Sequence, residues 1–305
     1  MKIGQNILYD KKDGMDLKLK DNFYHKYKNK RWFEFLDELL YRIKDDEVPA
    51  IGGQLTYFLI LSIVPFLMFF LNLLKYTSIS GLEISDNILI TIPLETQALF
   101  ENIIKETINS SSETLLSFSI LLSIWTGSLG INSMIKAINR AYNVETKRPY
   151  WRARALSIIF TIVLAFLLVL VLAMLVFGKI IGEKIFTKFG ATHVFYHIWE
   201  FLRMIIPIVA MITIFALLYK LSPPHEENLN LKFNETLPGA IFASLGWIIA
   251  SMIFSFYANN FGNYSKIYGS LGGIIILLIW LYIANIVIIL GGEINGTYTY
   301  FKKKK

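Results

Sequence analysis

The sequence predicts an all-α membrane protein: a bundle of six transmembrane helices with amphipathic helices at the N-terminus and in an outer loop. Three observations carry that expectation. Of the 305 residues, 54% are hydrophobic and only 17% are charged, and the mean hydropathy is +0.50. A soluble domain carries about a quarter charged residues. Apolar runs of about twenty residues recur along the chain, each long enough at a rise of about 1.5 Å per residue to cross a hydrocarbon layer of about 30 Å. Lys and Arg gather in alternate flanks of those runs, the asymmetry that orients helices in a bilayer.

Residues 1–30 are polar and lysine-rich and are expected to be a loosely ordered cytoplasmic tail. Over 31–44, Trp32, Phe33, Leu36, Leu39, Leu40 and Ile43 recur at helical spacing among Glu34, Asp37, Glu38 and Arg42. This pattern predicts an amphipathic helix that lies on the membrane or packs on the bundle. The transmembrane domain takes residues 51–292, with spans expected at 51–74, 114–137, 155–181, 197–219, 233–258 and 268–291. A basic cytoplasmic tail follows at 293–305. Between the first two spans, residues 75–113 hold a helical apolar pattern from Pro93 to Asn109, read as an outer interfacial helix or a re-entrant hairpin.

Residues 1–50 hold eleven Lys and Arg, 139–154 five, 220–232 two and the C-terminus four. The alternate segments 76–113, 183–198 and 259–267 hold one, two and one. The basic set is therefore expected on the cytoplasmic side, with both termini inside. The net charge of +7 fits anionic lipid on that side, so membrane lipid rather than nucleic acid is the expected partner.

Several classes of chemistry find no support. There is no cysteine, hence no disulfide or thiolate site. No Walker loop, dinucleotide-binding glycine motif or nucleophile elbow is present. His193, His197 and Glu200 make a faint metal-ligand spacing, outweighed by the ordinary reading of two interfacial histidines at a helix start. The chain is thus expected to be no enzyme, with no catalytic residue, metal or cofactor.

The polar residues within the spans are more telling. Gln54, Tyr57, Pro65 and Asn72 share a face of the first span, and Trp125, Ser128, Asn132, Lys136 and Asn139 share one of the second. Tyr282, Asn285 and Glu293 share one of the sixth. Such stripes turn away from lipid, so they either line one polar cavity or hydrogen-bond between helices. Lys136 and Glu293 end their stripes at matched depth: either they approach each other, directly or through water, because a charge near hydrocarbon needs a partner, or Lys136 snorkels to lipid phosphate and Glu293 meets bulk water. A second set of small residues, Ala240, Ser244, Ser251 and Ser255 with Gly269, Gly272 and Gly273, reads as helix packing.

Three blocks resemble one family when taken together. They are Gln54 to Pro65, the segment Asn139 to Val144 with Arg148 to Trp151, and Pro238-Gly239-Ala240 followed by Tyr268 to Gly272 and Gly292 to Asn295. Their order and spacing over about residues 31–298 resemble the YihY/BrkB family of bacterial inner-membrane proteins. The resemblance implies a six-helix, multi-pass protein of the cell inner membrane, of a kind labelled transporter, virulence or envelope factor, and formerly ribonuclease BN. Without an ATPase or a catalytic set, the expected function is movement of a small solute, ion or lipid-like amphiphile. The alternative is an envelope scaffold or regulatory factor, and the ribonuclease label is disfavoured.

Overall fold

The computed structural model describes residues 31–75, 113–144, 148–175, 193–224, 231–261 and 268–303. The segment Pro93 to Asn109 lies outside these residues. All the regular structure described is helical: α1 (Arg31–Asp45), α2 (Val48–Lys75), α3 (Glu113–Ala141), α4 (Tyr150–Leu175), α5 (His193–Leu221), α6 (Phe233–Phe261) and α7 (Gly272–Lys303), with a 3-10 turn at Gly269–Leu271. Among the described residues, the helices α3 to α7 each contain a stretch long and apolar enough to cross a membrane. The described apolar stretch of α2 is shorter, Val48–Ile63. The molecule is therefore an all-α membrane protein, with five such helices among the described residues and α2, a 28-residue helix, as a further apolar one.

The helix ends follow from local chemistry. α3 closes with Asn143 in the left-handed region at φ 54. The Val144 N–H reaches back to the Asn139 carbonyl and the Asn143 N–H to that of Arg140, the paired bonds that satisfy a helix C-terminus. At the start of α6, the Glu235 carboxylate accepts from the Lys232 N–H at 3.0 Å, a capping arrangement. Arg148 donates to the Leu221 and Pro223 carbonyls at 2.9 and 2.6 Å. It thereby pairs acceptors that the end of α5 leaves without partners.

α7 is the centre of the bundle, packing against α6, α2, α3, α1 and α5. The helix does not stop near 291. It runs unbroken to Lys303, and Glu293, Asn295, Gly296 and Thr297 are buried, so the expected boundary with a basic tail at 293 is not an end of the helix. The burial has a steric reason. A Cβ on Gly291 would overlap the Tyr219 hydroxyl and the Gly239 carbonyl, and one on Gly296 would overlap the Ala141 carbonyl. Glycine is what lets α5, α6 and the end of α3 close on this one stretch.

α1 has two apolar faces. Phe35 packs on Phe301, with ring centroids 6.1 Å apart, and the Arg42 guanidinium lies over the Tyr300 ring, so one face is docked on the end of α7. Trp32, Leu36 and Leu40, spaced by four, are exposed on the other.

Candidate functional site

One group of buried polar side chains, Arg42 of α1, Asn139 at the end of α3, and Glu293, Asn295 and Thr297 of α7, lies where the end of α7 is covered by its neighbours. Glu293, Asn295 and Thr297 of α7 have no exposed surface, and Arg42 has 5%. Charged side chains are almost never buried to this degree without compensation, so the partners matter.

Asn295 is satisfied. Its amide donates to the Thr236 carbonyl at 3.0 Å and its oxygen accepts from the Gly239 N–H at 2.8 Å. Tyr219 of α5 donates to the Ile288 carbonyl at 2.6 Å. Higher on α7, the Asn285 amide donates to the Thr56 hydroxyl at 3.1 Å, which donates in turn to the Gly52 carbonyl at 2.8 Å. Each bond fastens α7 to a neighbour through groups that hydrocarbon cannot solvate.

Glu293 differs. No donor stands against either of its carboxylate oxygens. Close to it stand another carboxyl, that of Asp46 in the α1–α2 turn, and the Arg42 guanidinium. Arg42 is committed elsewhere: it pairs with Glu38 at 2.8 Å and donates to the Ala141 carbonyl at 2.9 Å. Burial first, then the Asp45 carboxylate, raises the Asp46 carboxyl above its usual range, with Arg42, Glu293 and Arg140 opposing. The turn that presents Asp46 holds Glu47 at φ 53, a left-handed conformation uncommon outside glycine. The Thr297 hydroxyl, one turn further along the same face of α7, is buried and also without a partner. Burial raises the neighbouring Tyr142 hydroxyl as well.

The three predicted stripes do not converge. Gln54 and Tyr57 are exposed on α2, Pro65 is buried, and the Asn72 side chain lies outside the described residues. On α3, Trp125 and Lys136 are exposed, Ser128 and Asn139 are buried and Asn132 is half-buried. Ser128 donates to the Trp125 carbonyl at 2.8 Å. Asn132 faces α4, where the Ser157 hydroxyl donates to it at 3.5 Å. Tyr282 is half-buried and lies beside Gly52. Lys136 and Glu293 do not pair: among the described residues Lys136 has no ion-pair partner at 4.0 Å or less, and the polar surroundings of Glu293 are Asp46 and Arg42. A lysine with a long stem reaches polar surroundings by itself, whereas Glu293 cannot.

Ala240 and Ser244 are buried between α6 and α7, Ser251 accepts from the Trp280 indole N–H at 3.1 Å, and Ser255 is exposed. Gly269 is exposed at φ 55, Gly272 is buried and Gly273 is half-buried. His193 opens α5, with its side chain outside the described residues, as is that of His197.

Sequence reasoning missed Arg42, Asp46, Thr297 and Arg154. Arg42 reads only as one of the charges of the amphipathic pattern over 31–44, and the spacing singles out neither Asp46 nor Thr297. Arg154 reads as a flanking cation, yet it is buried, with its guanidinium 4.1 Å from the Trp125 ring centroid. The available signal was the pairing of Gly292-Glu293 with Asn295 in one motif, which marks a stretch that other helices approach closely.

Comparison with known proteins agrees with this architecture. The chain is 39% identical over 271 residues to the ribonuclease-like protein YfkH of Bacillus subtilis, covering 89% of this chain and 96% of that protein. It is 26% identical to a UPF0761 membrane protein of Pseudoalteromonas atlantica, covering 84% and 83% of the two chains. It is 27% identical to another UPF0761 membrane protein, from Photobacterium profundum, covering 88% and 82%. No solved structure matches. The family model described as Virulence factor BrkB matches residues 39–305, and the chain belongs to the BrkB family of membrane proteins.

Proposed function

We propose that this protein is a multi-pass protein of the bacterial inner membrane, both termini cytoplasmic, that moves a small solute, an ion or a lipid-like amphiphile without an ATPase of its own. The observation that carries the reading is the set of buried polar groups left unpaired inside the bundle: both oxygens of Glu293, the hydroxyls of Thr297 and Ser244, and Nε of Arg154. Polar residues that only hold helices together are paired, as Asn285 and Asn295 are. An unpaired buried group costs about 1–3 kcal/mol, and in membrane helices such groups mark pathways for ions and substrates. The exposed Trp32, Leu36 and Leu40 of α1, beside a basic N-terminus, suit an anionic lipid surface. The chain is no enzyme in this reading, and it uses neither cofactor nor nucleic acid.

The test is reconstitution of the purified chain into liposomes. Protein-dependent flux of potassium or sodium, or scrambling of fluorescent phosphatidylglycerol, supports the reading. A silent protein across all three probes counts against it. Cleavage of RNA by protein free of contaminating nuclease, lost in His193→Ala or His197→Ala, would revive a hydrolase. The chain has no native cysteine, so single cysteines at positions 5, 145, 228 and 303 can be compared with those at 86, 190 and 262 by impermeant thiol labelling. The first four are expected inside, and outward labelling at 145 contradicts the topology. A second reading, a scaffold or regulatory factor of the envelope, draws support from the close α6–α7 seam at Gly239 and Gly291, which suits a rigid element better than a moving one.

A further inference from the structure

We infer that Asp46 and Glu293 form a proton-binding site, in which two facing carboxyls hold one proton between them beside the Arg42 guanidinium. The geometry leaves little else. Glu293 has no exposed surface and no donor at either oxygen. A neighbouring polar group is an acid, and two carboxylates brought close together repel, whereas a carboxyl and a carboxylate can share a proton. One proton therefore converts a like-charge clash into the link that joins α7 to the α1–α2 turn.

The surrounding charges fit a single proton rather than a metal cation. From α1 come Arg42 and Glu38, from the turn Asp45, and from the end of α3 Arg140. The hydroxyl groups near this stretch of α7 are those of Tyr142 after α3, Tyr219 of α5, and Thr297 and Tyr300 of α7 itself. A guanidinium beside the carboxyls disfavours a second cation by direct repulsion. Glu293 is sealed while Asp46 is half-exposed, so Asp46 is the route by which the proton reaches water. On release, the O–H bond of the carboxyl breaks, the proton passes to water at the Asp46 side, and two carboxylates remain. That state strains the contact between the turn and α7, at the point where Glu47 already holds a left-handed backbone.

The coupling of this proton to transport rests on the reading above. The proton site itself does not, and its test needs no substrate. Infrared difference spectra of the full chain in lipid nanodiscs, from about pH 5 to about pH 9, follow the carbonyl band of a protonated carboxyl. The wild type is expected to show such a band and to lose it as the pH rises. Glu293→Gln is expected to abolish it. Asp46→Asn removes the opposing acid and leaves Arg42, so the loss is expected to move to lower pH by about one unit, a tenfold weaker proton affinity. Arg42→Gln is expected to move it to higher pH. Absence of the band in the wild type, a band unchanged by Glu293→Gln, or a band displaced by sodium at fixed pH overturns the assignment. Should Glu293→Gln fail to fold, Asp46→Asn decides alone, and an unmoved band or one moved upward counts against the site. Flux without the band leaves transport standing and removes the proton, and the band without flux does the reverse.

Discussion

Asn295 and Glu293 stand two residues apart on α7, equally sealed from solvent, on faces about 200° apart. One is saturated by the backbone of α6; the other meets an acid on a turn. Burial alone therefore says little about what a polar residue does in this bundle. Backbone groups carry no titratable charge, so the Asn295 face is a fixed joint whose strength does not depend on pH. The Glu293 face changes with one proton, and it joins α7 to the short connection between α1 and α2 rather than to a long helix. The fixed joint also has steric enforcement: Gly239 and Gly291 bring the two backbones into contact, whereas Thr297 on the other face leaves a hydroxyl unpaired.

The largest effect should come from the fixed joint. Gly291→Leu drives a side chain into Tyr219 and the Gly239 carbonyl and should destabilise by more than about 3 kcal/mol, read as loss of folded protein from the membrane fraction. Gly53→Ala, where a Cβ meets nothing within 4 Å, is its control and should be neutral or slightly stabilising. Equal damage at both positions erases the distinction between the two surfaces.

Asn295→Ala removes two bonds to α6 and should cost about 2 kcal/mol, by thermal unfolding in detergent, with the same cost at every pH tested. A cost that varies with pH would make the two faces alike.

Glu293→Gln should do the opposite. With one proton the two close carboxyls are linked, and once the pH is high enough to remove it two carboxylates face each other in a sealed site and that contribution is lost. Wild-type melting temperature should therefore fall on the alkaline side, and the variant should melt higher there by on the order of 1 kcal/mol in stability, with little difference in acid. A parallel pair of pH curves counts against the proton-dependent face.

Lys302→Ala removes the exposed partner of Glu235. It should leave melting unchanged, because an exposed ion pair is screened and its side chains are costly to order. A clear loss would mean that the fixed joint extends beyond the buried seam.

Much of the fold was legible in the residues. Apolar runs fix helices because an unpaired backbone is not tolerated in hydrocarbon, and α3 to α7 appear where such runs lie. The amphipathic spacing of residues 31–44 yields α1, but its rotation, with Phe35 on α7 and Leu40 outward, needed the partner helix. Periodicity places Tyr282, Asn285 and Glu293 on one face of α7, since angle within a helix is a property of that helix alone. It does not say what the face meets. Lys136 and Glu293 were matched by depth, which is one coordinate; position around the bundle is another, and it turned Lys136 outward. The end of α7 was placed at 291 because charge resumes at Glu293, yet the glycines on either side let neighbouring backbones close over that charge. The sequence by itself determined that helices form, where the apolar stretches run and which side chains share a face, because these depend on neighbours a few residues away. Only the tertiary structure decided that Asp46, 247 positions from Glu293 in the numbering, is the group that meets it, because that contact is set by how α1, its turn and α7 pack together.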